Sequence, residues 1–431
     1  MCNPLMTALH RNVREILKGS LPYFVSGILN SAAPFAVSLL VSWYLGKEAL
    51  GLFSICFALV LAGILVSDLG LNSLILREFA GRRSPESMNL RTLLFIRCLV
   101  SILTGAGVVA AARLFISSTG FLVLASTAFS LIIIRSVAST LENVIKALLF
   151  RTAYAGVMIS GSVAHVGLVY LVLASGRGID GVFLVMAGVE AAKTVLMMWM
   201  NREDLRPSAF RPLVTVQTLS RLFLRGLPFA LIGIFTLLNE KSALFFLSKI
   251  CGNAEAGIYS AADRFLIIGT LIDSSLFASA FPILSLFRGD AQFHHVTKQT
   301  LSIAFVLGVL GALVLYLGAP FLIRLSFRYS EATGLLRILS FSLPALLWNS
   351  VVRIALFSLH RERNVATVFG LTCVLNVAAN LLVVPLFAST GAAVVSVLTE
   401  YCISAAYGFL YLRSASRNAV SLKQEFSKAL S

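Results

Sequence analysis

LPYFVSGILNSAAPFAVSLLVSWYLGKEALGLFS, residues 21–54, returns without a gap as LPFALIGIFTLLNEKSALFFLSKICGNAEAGIYS, residues 227–260. Eight of the 34 paired positions are identical at a constant offset of 206. Leu21-Pro22 matches Leu227-Pro228, Gly27-Ile28 matches Gly233-Ile234, and Ser42 matches Ser248. Gly46, Gly51 and Ser54 match Gly252, Gly257 and Ser260. Chance pairing of segments this rich in Leu and Gly gives roughly three identities. The register also holds through a helix, a turn and the start of the next helix, as a true duplication requires. A second pair, Gly181-x8-Glu190 and Gly391-x8-Glu400, stands near the end of each half at an offset of 210. Internal symmetry in an apolar chain is the signature of a transporter made of two related bundles.

Working outward, the rest of the chain is as apolar as the repeat. It is 58% hydrophobic and 13% charged, about half the charge of an ordinary soluble domain. Water cannot solvate that much apolar surface, so lipid must be the solvent for most of it. Apolar runs predict twelve spanning helices. Spans 1 to 6 are Leu21–Leu45, Leu50–Leu76, Thr92–Ile116, Gly120–Leu148, Ala153–Ser175 and Asp180–Met200. Spans 7 to 12 are Leu222–Ser248, Gly257–Phe287, Thr300–Ile323, Ala332–Ser358, Val365–Ala388 and Gly391–Leu412. The expectation is an all-α membrane protein of two pseudo-symmetric six-helix bundles, residues 1–200 and 222–412. A cytosolic linker (201–221) joins them and a cytosolic tail (413–431) follows. Within the linker, residues 213–224 could lie amphipathically on the membrane surface. Six spans per half give both halves the same orientation, so the repeats are parallel.

The formal charge of +16 is a topology signal. With both termini in the cytosol, and residues within three of a span end counted with the adjoining segment, 22 Lys and Arg are cytosolic, six are outside and seven lie within spans. That bias is the positive-inside rule, and it leaves no need for a nucleic-acid partner. The first apolar run is too long for a cleavable signal core and is kept as span 1. The six cysteines are scattered, without metal spacing, and read as small apolar fillers. His294-His295 reads as solvated, and neither a metal nor a cofactor is expected.

Ionisable residues at membrane depth need a partner or a watery cavity. Span 4 carries Arg135, Ser139, Glu142 and Lys146 on one face; Glu142 paired with Lys146 or Arg135 is the structural reading. Span 7 has Asn239, Glu240 and Lys241, aligned by the repeat with Ala33, Pro34 and Phe35. Span 8 has Asp263-Arg264 and, deeper, Asp273. Asp68 and Asn72 share a face of span 2, and Asn349 and Arg353 a face of span 10. Arg97 and Arg353 lie near enough to the cytosol to snorkel. Glu190 and Lys193 form an i, i+3 pair, and the repeated Glu190/Glu400 reads as an inherited fold contact. Guanidinium forks suit phosphate oxygens. The expected substrate site is therefore Arg264, Lys241, Arg135, Arg97, Arg353 and Asn239. Asp68, Glu240, Asp263 and Asp273 are the candidates for ion coupling.

Leu45-Gly46-Lys47-Glu48-Ala49-Leu50-Gly51-Leu52-Phe53 with Ser67-Asp68-Leu69-Gly70-Leu71 resembles the first two helices of bacterial O-antigen-type oligosaccharide flippases. These belong to the multidrug/oligosaccharidyl-lipid/polysaccharide exporter (MOP) superfamily. Gly257 through Arg264, Leu375-Asn376 through Pro385, and Gly391-Ala392-Ala393 to Glu400 are also similar. The resemblance implies a V-shaped, MATE-like pair of bundles around a central cationic cavity. It implies an inner-membrane protein that moves a polyprenyl-pyrophosphate-linked oligosaccharide to the outer leaflet, among membrane lipid and beside the polysaccharide polymerase machinery. In related precursor flippases, basic residues of helices 1, 2 and 8 meet the phosphates. Arg264 matches that arrangement; span 1 has no basic residue at depth and span 2 offers Asp68, so Lys241 and Arg135 stand in. The alternatives are a multidrug cation antiporter of the same superfamily and a peptidoglycan-precursor flippase, which usually has fourteen helices. A membrane enzyme would need a nucleotide-binding loop, nucleophile elbow or metal motif, and the chain carries none.

Overall fold

The computed structural model describes residues 4–68, 71–72, 75, 90–113, 121–147, 151–202, 216–287 and 292–429. The expected end of span 2 at Leu76 and most of the 201–221 linker lie outside them. Every regular element among the described residues is helical, as lipid demands of a backbone that must bond to itself.

Ten of these helices are long and apolar enough to cross a membrane. Two of them, Val25–Asp68 and Glu362–Arg413, have 44 and 52 residues. At 1.5 Å per residue they would run about 66 and 78 Å, more than twice a ~30 Å hydrocarbon layer. Each is interrupted by one non-helical residue, Gly46 (φ 84°, ψ −176°) in the first and Ala388 (φ 46°, ψ −134°) in the second. Counted as two segments each, they bring the total to the twelve spans the hydropathy predicts. Gly46 needs its missing Cβ because φ is positive. Its repeat partner Gly252 has φ 92° and ψ 168°, nearly the same conformation, and opens the helix Asn253–Asp263. The duplicated sequence therefore encodes a duplicated turn.

Two other spans are segmented. Span 8 runs as Asn253–Asp263, a 3-10 turn at Arg264–Leu266, and Ile267–Leu286. Span 10 is Glu331–Ser340 and Ser342–Ser358, divided at Phe341. The amphipathic surface segment expected over 213–224 is not separate where described. Val216–Ile250 is one continuous helix, so these residues extend span 7.

Contacts divide the chain into two compact units: Met1–Gly46 with Cys56–Ala230, and Lys47–Ile55 with Leu231–Ser431. In the first, Phe121–Ala147 packs against both Leu90–Ala112 and Ile179–Met200. It buries Leu141, Val144 and Ile145 against Leu93, Tyr154, Met158 and Met197. In the second, Ser342–Ser358 holds the same central place, packed on Ile267–Leu286, Gln292–Ser326 and Glu362–Ala429. Outward faces stay apolar: Phe321 is 68% exposed, Leu382 70% and Leu386 75%. Such a surface is stable only against lipid chains.

Within the second unit the two copies of the repeat's turn meet. A Cβ at Gly51 would run into the Asn253 carbonyl, and one at Gly257 into the Lys47 carbonyl. Lys47 and Asn253 are themselves repeat partners, so the contact is locally two-fold. One turn further on, the Ser54 and Ser260 hydroxyls hydrogen-bond at 2.5 Å. Three of the eight identities, Gly51/Gly257, Ser54/Ser260 and the Gly46/Gly252 turn that precedes them, thus serve one close helix crossing.

Candidate functional site

A 3-10 turn within span 8 marks where its charges stand. The α-helix ends at Asp263, Arg264 begins the 3-10 turn, and the α-helix resumes at Ile267. Lys241 Nζ, from span 7, donates to Asp263 Oδ2 at 3.1 Å, with the two side chains 23% and 26% exposed. Glu240, one residue earlier and ~100° around the helix, is exposed. Asn239 points elsewhere. It is 9% exposed and donates to the Phe369 carbonyl (3.4 Å) and Thr372 Oγ1 (3.3 Å). Beside it Ser242 donates to Asn376, which donates to Thr399 at 2.7 Å, while Asn380 donates to Asn376 Oδ1 at 3.0 Å. This amide and hydroxyl spine ties span 7 to spans 11 and 12. Asn239 belongs to it through its amide N–H groups.

A second cluster in the same unit joins spans 8, 10 and 12. Arg353 Nη2 donates to both Asp273 oxygens, at 2.7 and 2.9 Å, and Ser350 donates to the same carboxylate. Asn349 donates to Glu400 Oε2 at 2.9 Å and to its carbonyl at 3.0 Å, and receives Ser404 Oγ at 2.7 Å. Arg353 therefore does not snorkel freely to the cytosolic side: a charge with a carboxylate in reach gains more by pairing where it stands.

The first unit holds the other expected cations. Arg97 is fully buried. Its Nε donates to the Ser136 carbonyl (3.1 Å), Nη1 to the Ser67 carbonyl (3.0 Å) and Asp68 Oδ1 (2.7 Å), and Nη2 to Ser139 Oγ (2.8 Å). The snorkelling expected of Arg97 is thus replaced by a lock joining spans 2, 3 and 4. Arg135 Nη1 donates to Glu142 (2.6 Å) and Glu190 (3.3 Å), Lys193 to Glu190 (2.5 Å), and Lys146 lies 3.5 Å from Glu142. Glu190 joins span 6 to span 4, and Glu400 joins span 12 to span 10, so the repeated glutamate makes the equivalent tie in each unit.

The expected site residues thus fall into four groups of direct contacts, and Glu240 feels the charges of both Lys241–Asp263 and Arg353–Asp273. Asp68 and Arg97 form one, Arg135 another, Arg353 and Asp273 a third, and Lys241, Asp263, Arg264 and Glu240 the fourth. Arg97, Arg135, Lys241 and Arg353 each hold a carboxylate. The basic excess read along the sequence is therefore largely neutralised locally. Sequence reading missed the 3-10 turn, Ser350, and the Ser242–Asn376–Asn380 spine.

A family described as polysaccharide biosynthesis protein matches residues 16–287, more than half of the chain. The chain belongs to the polysaccharide biosynthesis protein family. Solved structures agree on the fold. A multidrug resistance MATE family transporter of the MOP superfamily in its inward-facing conformation is 18% identical, with TM-score 0.68, covering 91% of this chain and 96% of that one. The outward-facing conformation of such a transporter gives 16%, 0.66, 95% and 96%. A MOP superfamily transporter from Pyrococcus furiosus, described as having a binding pocket of reverse polarity that suggests a different function, gives 16%, 0.65, 94% and 95%. No curated protein sequence matches. This polysaccharide biosynthesis protein is accordingly an all-α, multi-pass membrane protein with a MATE-like fold.

Proposed function

We propose that this family member flips a polyprenyl-pyrophosphate-linked oligosaccharide from the cytosolic to the outer leaflet of a bacterial inner membrane, by alternating access. The observation that carries the reading is the charge cluster at the 3-10 turn of span 8. There the helix tightens without unwinding, Asp263 and Arg264 stand at the turn, and Lys241 reaches Asp263 from span 7; a 3-10 stretch inside a long helix often marks a functional hinge.

Pairing explains how such cations tolerate an empty site. A lone ammonium or guanidinium at that depth is costly, and Asp263 offsets the cost while no substrate is bound. An arriving pyrophosphate competes for Lys241 and Arg264 with more oxygens than one carboxylate offers. The displaced Asp263 then needs a proton or a metal cation, which gives coupling a physical route through Asp263 and exposed Glu240. An inside-negative potential drives the anionic head outward by roughly 2.3 kcal/mol per charge per 100 mV.

Loss of the gene is expected to accumulate completed lipid-linked oligosaccharide, read by mass spectrometry, with loss of surface polymer. Lys241→Ala and Arg264→Ala are each expected to reproduce the accumulation while the protein still inserts. Normal export by both variants would remove Lys241 and Arg264 from the site. Unchanged intermediates in the deletion strain would remove the flippase reading altogether. Glu240, an exposed carboxylate beside the site, favours cation antiport as the second reading. In that case the deletion strain would instead accumulate organic cations.

A further inference from the structure

The second unit carries a cavity that the transport reading does not use. It holds about 440 Å³ between spans 11 and 12. One part of its wall is polar, with Arg361, Asn364 and Arg413; the other is apolar, with Val368, Leu371 and Phe409. None of the described residues lining it is acidic.

Local structure places the polar part. Span 10 ends in a tight turn in which His360 has φ 55°, and the Arg361 N–H returns to the Leu356 carbonyl at 2.9 Å. The Arg361 carbonyl in turn receives the Asn364 and Val365 N–H groups, at 3.0 and 3.2 Å, as the next helix begins. Arg361 is thereby fixed at the first turn of span 11, and Asn364 stands three residues on. Arg413 comes from the far end of span 12, which returns to the same end of the unit. The acidic neighbour Glu362 turns to His360, 3.6 Å from its Nδ1.

The apolar part faces outward. Leu371 is 63% exposed and Phe409 64%, and Val374 and Leu375 continue the exposed strip at 68% and 61%. Two guanidinium groups at one end of an apolar groove match the layout of a phospholipid: a phosphate first, then chains. Guanidinium forks pair with phosphate oxygens, and basic pockets between transmembrane helices are suited to anionic headgroups. A zwitterionic lipid adds a cation that two arginines repel.

We infer that this cavity binds an anionic glycerophospholipid of the bilayer, its phosphate on Arg361 and Arg413 and one chain along Leu371 and Phe409. The site is separate from Lys241, Asp263 and Arg264, so it stands or falls independently of the substrate moved. Under the orientation expected from the charge bias, it takes its lipid from the cytosolic leaflet.

Native mass spectrometry of the full-length protein tests the inference. Phosphatidylglycerol and phosphatidylcholine would be added separately to detergent micelles, and retained lipid counted. The wild type is expected to retain phosphatidylglycerol at least ten-fold better than phosphatidylcholine. Arg361→Gln with Arg413→Gln is expected to bring phosphatidylglycerol down to the phosphatidylcholine level. Leu371→Trp, which fills an exposed position and leaves both arginines, is expected to lower retention of phosphatidylglycerol as well and guards against misfolding of the double variant. Equal retention of the two lipids, or a double variant that binds like the wild type, would overturn the inference. So would a polyprenyl pyrophosphate that displaces phosphatidylglycerol at equal concentration with the same arginine dependence, since the site would then belong to the transported lipid.

Discussion

Arg97 shows why a charge at membrane depth is more than a candidate ligand. Its guanidinium is buried and spends its donors on four acceptors from spans 2 and 4: two carbonyls, Ser139 and Asp68. Asp68 is one-fifth exposed and depends on that single cation among the described residues. Removing one partner of a buried pair strands the other, at a cost of about 3–5 kcal/mol, whereas removing both together costs far less. Arg97→Met is therefore expected to lower the thermal midpoint of the purified protein sharply. Arg97→Met with Asp68→Asn is expected to recover part of the loss, though the lost bonds to the Ser67 and Ser136 carbonyls and to Ser139 keep the recovery incomplete. If the single variant melts like the wild type, or the double variant is no better than the single, Arg97 is not the lock its geometry describes. The same comparison bears on Asp68 as an ion-coupling candidate. A structural Asp68 predicts that Asp68→Asn loses folded protein, while activity per folded molecule is kept.

At the scale of the element, the repeat is best understood as a device for bringing two helices together. Gly46 and Gly252 set the same turn, and Gly51 and Gly257 let the following segments approach until each Cβ would strike the other's backbone carbonyl. A backbone oxygen has no rotamer to escape into, so the segments must separate. Gly51→Ala and Gly257→Ala are each expected to destabilise by about 1–3 kcal/mol, the usual cost of overpacking. Ser54→Ala removes one hydroxyl–hydroxyl bond, and a serine in a helix readily bonds its own i−4 carbonyl, so its cost is expected to stay within about 1 kcal/mol. A thermal melt that ranks Ser54→Ala as the more damaging change would show that the hydrogen bond, and not the close approach, holds this crossing. These identities were legible in the sequence because duplication repeats them, but their mutual contact was not. Symmetry says that two segments look alike, and only the fold says that they touch.

For the whole molecule, hydropathy gave the number and order of the spans because lipid imposes a length and an apolar surface on each one. Short-range charge pairs were equally readable: Glu190–Lys193 and Glu142–Lys146 follow from helical spacing alone. The partners of Arg97, Lys241 and Arg353 lie 22 to 80 residues away, and nothing in a single helix's periodicity points to them. What looked like a pooled cationic site along the sequence is, residue by residue, a set of neutralised pairs. Orientation is the expectation drawn from loop charge, and it can be tested directly. With the amino terminus in the cytosol, the 175–178 and 327–330 turns face outward, and the turns at 201–202 and 359–361 face inward. Alkaline phosphatase, active only outside the cytosol, is expected to be active when fused after Arg177 or Tyr329 and inactive after Arg202 or His360. The opposite pattern would mean that the 22-to-six bias of Lys and Arg had not set the topology. It would also move the Arg361–Arg413 cavity to the outer leaflet and reverse the direction in which the potential acts on an anionic cargo. The fusion series therefore constrains the lipid site and the energetics of transport together, since both are fixed by which side of the membrane the arginines face.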